Sequence, residues 1–265
     1  LLTHVELPLS SHGYLSMLKV CNKSTHSFVY VKQIYAHMAR TKASMSSLLL
    51  DYLAMTLARC GAIEEAFQVF ETLSLPTVFS WTALISAKVS CDCSEEALEM
   101  YKHMQEEGVE PSDYTFVSLF KACAKAMDLE DGKRFHNDAR RGVSDFLSDV
   151  FVCNSLISMY GKLGQVLEAE LVFIMLSQRT KVSWNAMMSA YLQQNKAGKA
   201  MRLYRQMLEE GVDSDHHTLV FALQTCCNLL SDDRNHPEEQ SARLMSLEIG
   251  NAVHGHARRK AFTKS

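Results

Sequence analysis

Residues 78–85 read VFSWTALI, and residues 181–188 read KVSWNAMM, 103 positions later. The same offset relates further identical residues along the chain. These pairs are Gly61 and Gly164, Ala66 and Ala169, Phe70 and Phe173, Tyr101 and Tyr204, Met104 and Met207, Gly108 and Gly211, and Cys123 and Cys226. A period that holds over so much of the chain indicates a repeat protein, in which each unit packs on its neighbours.

Three unlike sub-units make up one period, and each reads as two helices. Their lengths are 35 residues (78–112), 37 residues (113–149) and 31 residues (150–180). Because a hairpin of about 30 residues cannot bury both of its faces alone, such hairpins stack on one another. The period therefore predicts an all-α solenoid superhelix of helix-turn-helix repeats.

Apolar stripes support this prediction, because they follow the helical spacing i, i+3, i+4, i+7. The stripes comprise Ala97, Met100, Tyr101 and Met104; Ala200, Leu203, Tyr204 and Met207; Ala66, Val69, Phe70 and Leu73; and Ala169, Val172, Phe173 and Leu176. Gly108 and Gly211 each follow two glutamates at a predicted helix end, where a left-handed residue suits glycine. Trp81 and Trp184 are predicted to be core residues.

The composition is that of an ordinary soluble globular protein, with 47% apolar and 22% charged residues. No apolar run approaches the ~18 residues of a membrane span, so no membrane partner is expected. The net charge of −3 counts against nucleic acid, because binding to phosphates usually requires a basic balance. The eight cysteines contain no Cys-x-x-Cys spacing, and we interpret them as buried thiols in a reducing compartment.

Three stretches resemble a known family: 154–162 (NSLISMYGK), 182–188 (VSWNAMM) and 119–123 (LFKAC) look like the short, standard and long motifs of plant-type pentatricopeptide repeats of the PLS subclass. The resemblance implies a right-handed α-solenoid. The motifs are assigned as long 11–46, short 47–77, standard 78–112, long 113–149, short 150–180, standard 181–215 and long 216–262. Residues 1–10 and the tail 263–265 stay unassigned, and about 15 inserted residues are placed near 231–247.

The resemblance also implies which residues read RNA bases: the fifth and the last residue of a motif form one pair. The polar pairs are Asp51 with Thr77, Thr82 with Ser112, Asn154 with Thr180, and Asn185 with Asp215. Asn185 with Asp215 implies uracil, Thr82 with Ser112 a purine and Asn154 with Thr180 a pyrimidine, whereas Asp51 with Thr77 implies no particular base. Long motifs have apolar fifth residues (Leu15, Val117, Val220), which cannot hydrogen-bond a base.

Second residues of the motifs are implied to sandwich the bases. They are Leu48, Phe79, Tyr114, Phe151, Val182 and His217. Spacing alone leaves other interpretations open, because Asn and Thr near helix starts are common caps and Asp215 suits a cap of the following helix. Residues 258–260 (RRK) fit a solvated face more often than a contact patch.

The resemblance implies a recognition module that binds single-stranded RNA in organellar RNA processing or C-to-U editing, in a mitochondrion or chloroplast. It implies an editing or processing enzyme as a further partner. No cofactor, metal, small-molecule substrate or catalytic residue is expected. Zinc deaminases need His-x-Glu and a later Cys-x-x-Cys; His4 and Glu6 have the first spacing, but no Cys-x-x-Cys occurs in the sequence. The chain is expected to be a fragment of a longer protein. The alternative function is a protein-binding scaffold of the tetratricopeptide type.

Overall fold

A computed structural model describes residues 9–21, 28–41, 46–141 and 146–231. These ranges contain α-helices and one 3₁₀ turn but no strand, which confirms the all-α class. The helices divide between two compact units, Leu1–Ala126 and Met127–Ser265. The inserted segment near 232–247, the motif end up to 262, residues 258–260 and residues 1–8 lie outside the described residues.

The first unit holds seven helices within the described residues. They are α1 (Ser11–Cys21), α2 (Phe28–Thr41), α3 (Ser47–Arg59), α4 (Ile63–Phe70), α5 (Val78–Ser90), α6 (Ser94–Glu106) and α7 (Asp113–Ala126). Helices α1, α3, α5 and α7 form one row, since each contacts the next, while α4 and α6 each pack on both neighbours in the row. This arrangement is a stack of helical hairpins.

The second unit repeats the arrangement. Its described elements are α8 (Leu129–Arg141), the 3₁₀ turn Phe146–Ser148, α9 (Val150–Lys162), α10 (Val166–Met175), α11 (Lys181–Gln193), α12 (Ala197–Glu209) and α13 (His216–Ser231). Helices α9, α11 and α13 form its row, with α10 and α12 packed beside them. Gly161 permits the close approach of α9 and α11, because an added Cβ there would lie 2.5 Å from the Cβ of Ala190.

Helix starts coincide with the assigned motif starts. The first helix of each motif, from α1 to α13 in the two rows, begins at residue 11, 47, 78, 113, 150, 181 or 216. The unit boundary nevertheless falls inside the long motif 113–149, between α7 and α8. Helix α8 buries only Gly132, Phe135 and Ala139, so its apolar face is narrow.

The predicted stripes are in the core for the most part. All four residues of each standard-motif stripe are buried, as are Ala169, Val172, Phe173 and Leu176. Phe70 and Leu73 are only half-buried, and Leu73 lies beyond the end of α4. Gly108 and Gly211 have φ angles of 71° and 74°, which confirms their left-handed conformation.

Both tryptophans are core residues, as predicted. Trp184 is fully buried with its ring edge-on to Phe173 (5.1 Å between centroids), and Trp81 packs in the same way on Phe70 (4.7 Å). These two contacts join the second helix of one motif to the first helix of the next. The aromatic pairs therefore fasten neighbouring hairpins together.

The prediction of buried cysteine thiols is only partly right. No disulfide joins any of the eight cysteines, all of which lie in the described ranges. Cys123, Cys153 and Cys226 are buried, but Cys91 and Cys227 are exposed. Cys91 follows the last residue of α5 and Cys227 lies on the outer side of α13, so an apolar neighbourhood in sequence did not bring either into the core.

Candidate nucleic-acid interface

Second residues of the motifs leave large side chains in solvent at equivalent places in both rows. Leu48, Phe79 and Tyr114 in the first unit, and Phe151 and Val182 in the second, are between 60% and 77% exposed. His217 is also exposed, and its ring lies 3.8 Å from that of His216. Repeated exposure of apolar side chains at one helix position is informative, because such residues normally enter the core.

Last residues of the motifs cap the first helix of the next motif. Ser46, Thr77, Ser112, Asp149, Thr180 and Asp215 each accept a hydrogen bond from a backbone N–H two or three residues later. This confirms the interpretation of Asp215 as a cap. Thr82 and Asn185 lie one turn inside α5 and α11, whose caps are Thr77 and Thr180, so the cap interpretation of Thr82 and Asn185 is wrong.

Asp51 and Thr77 are brought together directly. The backbone N–H of Thr77 donates to Oδ1 of Asp51 (3.1 Å), and the Thr77 hydroxyl donates to Oδ2 (2.8 Å). Asp51 is buried on α3, so both of its carboxylate oxygens are held by the chain itself. Each carboxylate oxygen of Asp51 therefore accepts one hydrogen bond from Thr77 within the first unit.

Asn185 and Asp215 also meet, and a third residue joins them. Nδ2 of Asn185 donates to Oδ1 of Asp215 (3.3 Å), and the hydroxyl of Thr218 lies 2.8 Å from Oδ1 of Asn185 and 2.9 Å from Oδ1 of Asp215. The backbone N–H of Thr218 most strongly lowers the pKa of Asp215, and the side chains of Thr218 and Asn185 and the charge of His217 add to this, giving a value of about 2. Asp215 is therefore ionised at neutral pH.

Thr82 and Ser112 are linked through Thr115 in the same way. The Thr115 hydroxyl lies 2.7 Å from that of Thr82 and 3.0 Å from that of Ser112, and the backbone N–H of Ser112 donates to it (3.0 Å). Hydroxyls can donate or accept, so this pair offers both functions to a ligand.

Asn154 and Thr180 are not brought together by any contact among the described residues. Asn154 is buried in α9, and its Oδ1 has no hydrogen-bond partner there. Thr180 is exposed and bonds to Ser183 (3.2 Å between hydroxyls) instead. A buried amide oxygen without a partner carries a desolvation cost.

Basic residues supply local positive charge in spite of the acidic total. Arg59 and Lys162 lie in the last turns of α3 and α9, whereas Lys125 in the last turn of α7 pairs with Asp92 (2.7 Å). In the described part of the chain no cluster of three His, Cys, Asp or Glu side chains has a metal-binding arrangement. A search of the same residues finds no helix with the length and apolarity of a membrane span.

Two residues of the candidate site, Thr115 and Thr218, were not predicted from the sequence. Each is the third residue of its motif, is fully buried, and contacts the pair of the preceding motif. Their only signal in the sequence is the recurrence of a hydroxyl residue at that position.

Family models match in three places. The model described as the PPR repeat family matches residues 76–125 and 179–228, and the PPR repeat model matches residues 151–179. The first and second matches lie 103 residues apart, in agreement with the internal period.

Similar proteins from Arabidopsis thaliana are also named as pentatricopeptide repeat-containing proteins. A chloroplastic pentatricopeptide repeat-containing protein is 33% identical over 83% of this chain and 35% of its own length. A second such protein is 34% identical over 91% of this chain and 34% of its own length. The chain thus spans about a third of the length of these relatives.

Solved structures agree on the fold. The pentatricopeptide repeat protein PPR10, solved in complex with an 18-nt psaJ RNA element, aligns with a TM-score of 0.53 and 15% sequence identity over 90% of this chain and 40% of that one. At this identity the likeness concerns the α-solenoid fold alone. With the repeat matches and the relatives, the conclusion is that the chain belongs to the pentatricopeptide repeat family.

Proposed function

We propose that this chain binds single-stranded RNA sequence-selectively, with one base for each polar pair. The observation that carries the proposal is the position of the exposed second residues. On a helix, residues three apart are neighbours, so each of these side chains lies next to the fifth residue of its motif. In four motifs the fifth residue is polar, so Leu48, Phe79, Phe151 and Val182 each place an exposed stacking surface beside a polar pair, which is what an unpaired base needs.

Stacking of bases on the exposed side chains would provide binding affinity, and hydrogen bonds from the polar pairs would provide base selectivity. The exposed rings of Phe79, Tyr114 and Phe151 suit any base, because every base has a flat face. Asn185 keeps one N–H outside its bond to Asp215, and Asp215 is an ionised acceptor. A donor beside an acceptor matches uracil, whose N3–H lies next to carbonyl oxygens. We therefore assign uracil to the motif 181–215; the family resemblance assigns a purine to Thr82 with Ser112 and a pyrimidine to Asn154 with Thr180.

The local basic residues give this chain a means of holding phosphates. Arg59 and Lys162 are exposed at the ends of first helices. Neutralising phosphates releases counterions, so the affinity for RNA is expected to fall as salt rises. A net charge of −3 is compatible with this, because only one side of each row needs to face the strand.

The wider role that we propose is RNA processing or C-to-U editing in an organelle. Relatives named as chloroplastic support the organelle, and the alternation of long, standard and short motifs supports the PLS subclass. The chain acts there as a recognition module without catalysis of its own, and an editing or processing enzyme is its expected partner.

One observation favours the alternative, a protein-binding scaffold. Helix α10 exposes Leu167, Leu171, Ile174 and Met175, which share one face at helical spacing. An exposed apolar face of this kind fits a protein partner better than it fits RNA. It is also a candidate contact for the enzyme partner, so the two functions are compatible.

Changing Asn185 to Thr tests the base assignment. Selection from a randomised single-stranded RNA pool is expected to yield uracil at one position for the unchanged chain and to shift that position toward G for Asn185→Thr. The expected change is about 1–3 kcal/mol, as for a bidentate base contact. Ser189→Ala, on the same helix, is the control and should leave the selected sequence unchanged. Recovery of the same uracil by Asn185→Thr would show that the assignment is wrong.

A further inference from the structure

Four buried hydroxyls share one place in the repeat. Ser80, Thr115, Ser183 and Thr218 are each the third residue of a motif, and each is 0% exposed. In each case the preceding motif has a polar pair, whose last residue lies three positions before the hydroxyl residue. Hydroxyls are seldom buried to this degree unless they have a hydrogen-bonding task.

The two motifs that follow a long motif have an apolar residue at the third position instead of a hydroxyl residue. Leu49 and Val152 occupy the third position there, and both are also 0% exposed. Their preceding motifs have the apolar fifth residues Leu15 and Val117. All six third-position residues are thus equally buried. A hydroxyl is present at this position only where the preceding motif has a polar pair. Packing alone gives no reason for this agreement, because a buried site favours an apolar side chain.

Contacts explain the agreement. Thr115 and Thr218 each touch both members of the preceding pair, at 2.7 and 3.0 Å for Thr115 and at 2.8 and 2.9 Å for Thr218. Ser183 contacts the hydroxyl of Thr180 (3.2 Å), and Ser80 donates to the carbonyl oxygen of Thr77 (3.0 Å). All four hydroxyls therefore hold the last residue of the pair, and the two threonines hold the fifth residue as well.

We propose that the third residue of the following motif is a positioning residue for base selection, which sets the orientation of the pair before it. The proposal rests on the RNA-binding function proposed above. At Asn185 the effect is specific. Thr218 donates to the amide oxygen or to Asp215, so the oxygen is directed toward the hydroxyl and the amino group toward Asp215. The second N–H of Asn185 and Oδ2 of Asp215 stay outside this network and are the groups presented to a base.

Without the Thr218 hydroxyl, only the contact with Asp215 opposes a turn of the Asn185 amide, so a fraction of the amide is expected to turn over. It would then present its oxygen in place of its N–H, and an oxygen suits a base that offers an amino group, such as cytosine. Loss of the hydroxyl is therefore expected to relax selection between uracil and cytosine more than it weakens binding as a whole.

Thr218→Val tests the proposal, because it replaces the hydroxyl with a methyl group of similar size. In the RNA pool selection, the preference for uracil over cytosine at the Asn185 position is expected to fall by roughly fivefold or more, the lower end of what one good base contact provides. Thr218→Ser should restore the preference, since it restores the hydroxyl.

The matched control is Thr225→Val on the same helix. Thr225 is 1% exposed, and its hydroxyl donates to the carbonyl oxygen of Phe221 (2.7 Å) rather than to a pair. This variant loses a buried hydroxyl of the same kind and should keep the uracil preference. A similar relaxation in both variants would mean general loosening of α13 and would overturn the proposal.

An experiment without RNA tests the contact between Thr218 and Asp215 independently of RNA binding. NMR titration of the free chain should show that Thr218→Val raises the pKa of Asp215 above about 2, whereas Thr225→Val leaves it unchanged. An unchanged pKa in Thr218→Val would overturn the positioning contact whether or not RNA binds. If the unchanged chain binds no RNA, the proposed function fails. If it binds with uracil preference and Thr218→Val keeps that preference, only the positioning role fails.

Discussion

Replacing Phe79 and Tyr114 together with alanine is expected to weaken binding of single-stranded RNA by about 2–6 kcal/mol, because stacking on an aromatic side chain contributes about 1–3 kcal/mol per base. This corresponds to a loss of affinity of roughly 30-fold or more. Fluorescence anisotropy with a labelled single-stranded RNA measures the change.

The fold should tolerate this double substitution. Phe79 and Tyr114 are 67% and 77% exposed, so alanine removes little buried surface at either place. Leu75→Ala is the matched control, because Leu75 is 76% exposed in the same unit but lies between α4 and α5 rather than at the second position of a motif. It should bind RNA like the unchanged chain. Unchanged RNA affinity in the double variant would remove the stacking role.

Trp184→Ala is expected to lower the free energy of unfolding by about 3–5 kcal/mol, the usual cost of removing a large buried aromatic side chain. Trp184 is fully buried against Phe173, and it joins the hairpin of α9 and α10 to α11. Urea unfolding followed by far-ultraviolet circular dichroism measures the loss.

Trp184→Phe is the control for that substitution. It keeps an aromatic ring against Phe173 and removes the indole Nε1, which has no hydrogen-bond partner among the described residues. Its loss of stability should therefore be much smaller than that of the alanine variant. A stability unchanged by Trp184→Ala, together with weaker RNA binding, would mean that Trp184 is a stacking platform instead of a core residue.

The repeat itself could be predicted from the sequence because it depends on local signals. Apolar residues at helical spacing and glycines at helix ends recur with the period of 103 residues, and helices begin at each assigned motif start. The family and the all-α solenoid class are confirmed. The division into long, standard and short motifs stays a prediction, as do the base-reading and base-sandwiching roles.

Contacts between motifs could not be predicted from single positions. Thr218 reaches Asn185 across 33 residues, and only the stacking of α11 on α13 places their side chains together. Thr180, by contrast, hydrogen-bonds locally to Ser183 in a capping box, and no hydrogen bond among the described residues joins it to Asn154. The boundary between the two units, which falls inside the long motif 113–149, was not predicted by the periodic pattern.

Equilibrium binding of the whole chain to RNA tests the central claim most directly. A uracil-containing single strand and the same strand annealed to its complement are titrated at about 50 mM and 200 mM salt. We expect binding to the single strand that weakens steeply with salt, and much weaker binding to the duplex, whose bases are already paired. No affinity for the single strand at low salt, or equal affinity for the duplex, would contradict base reading and leave the apolar face of α10 as the main candidate for function.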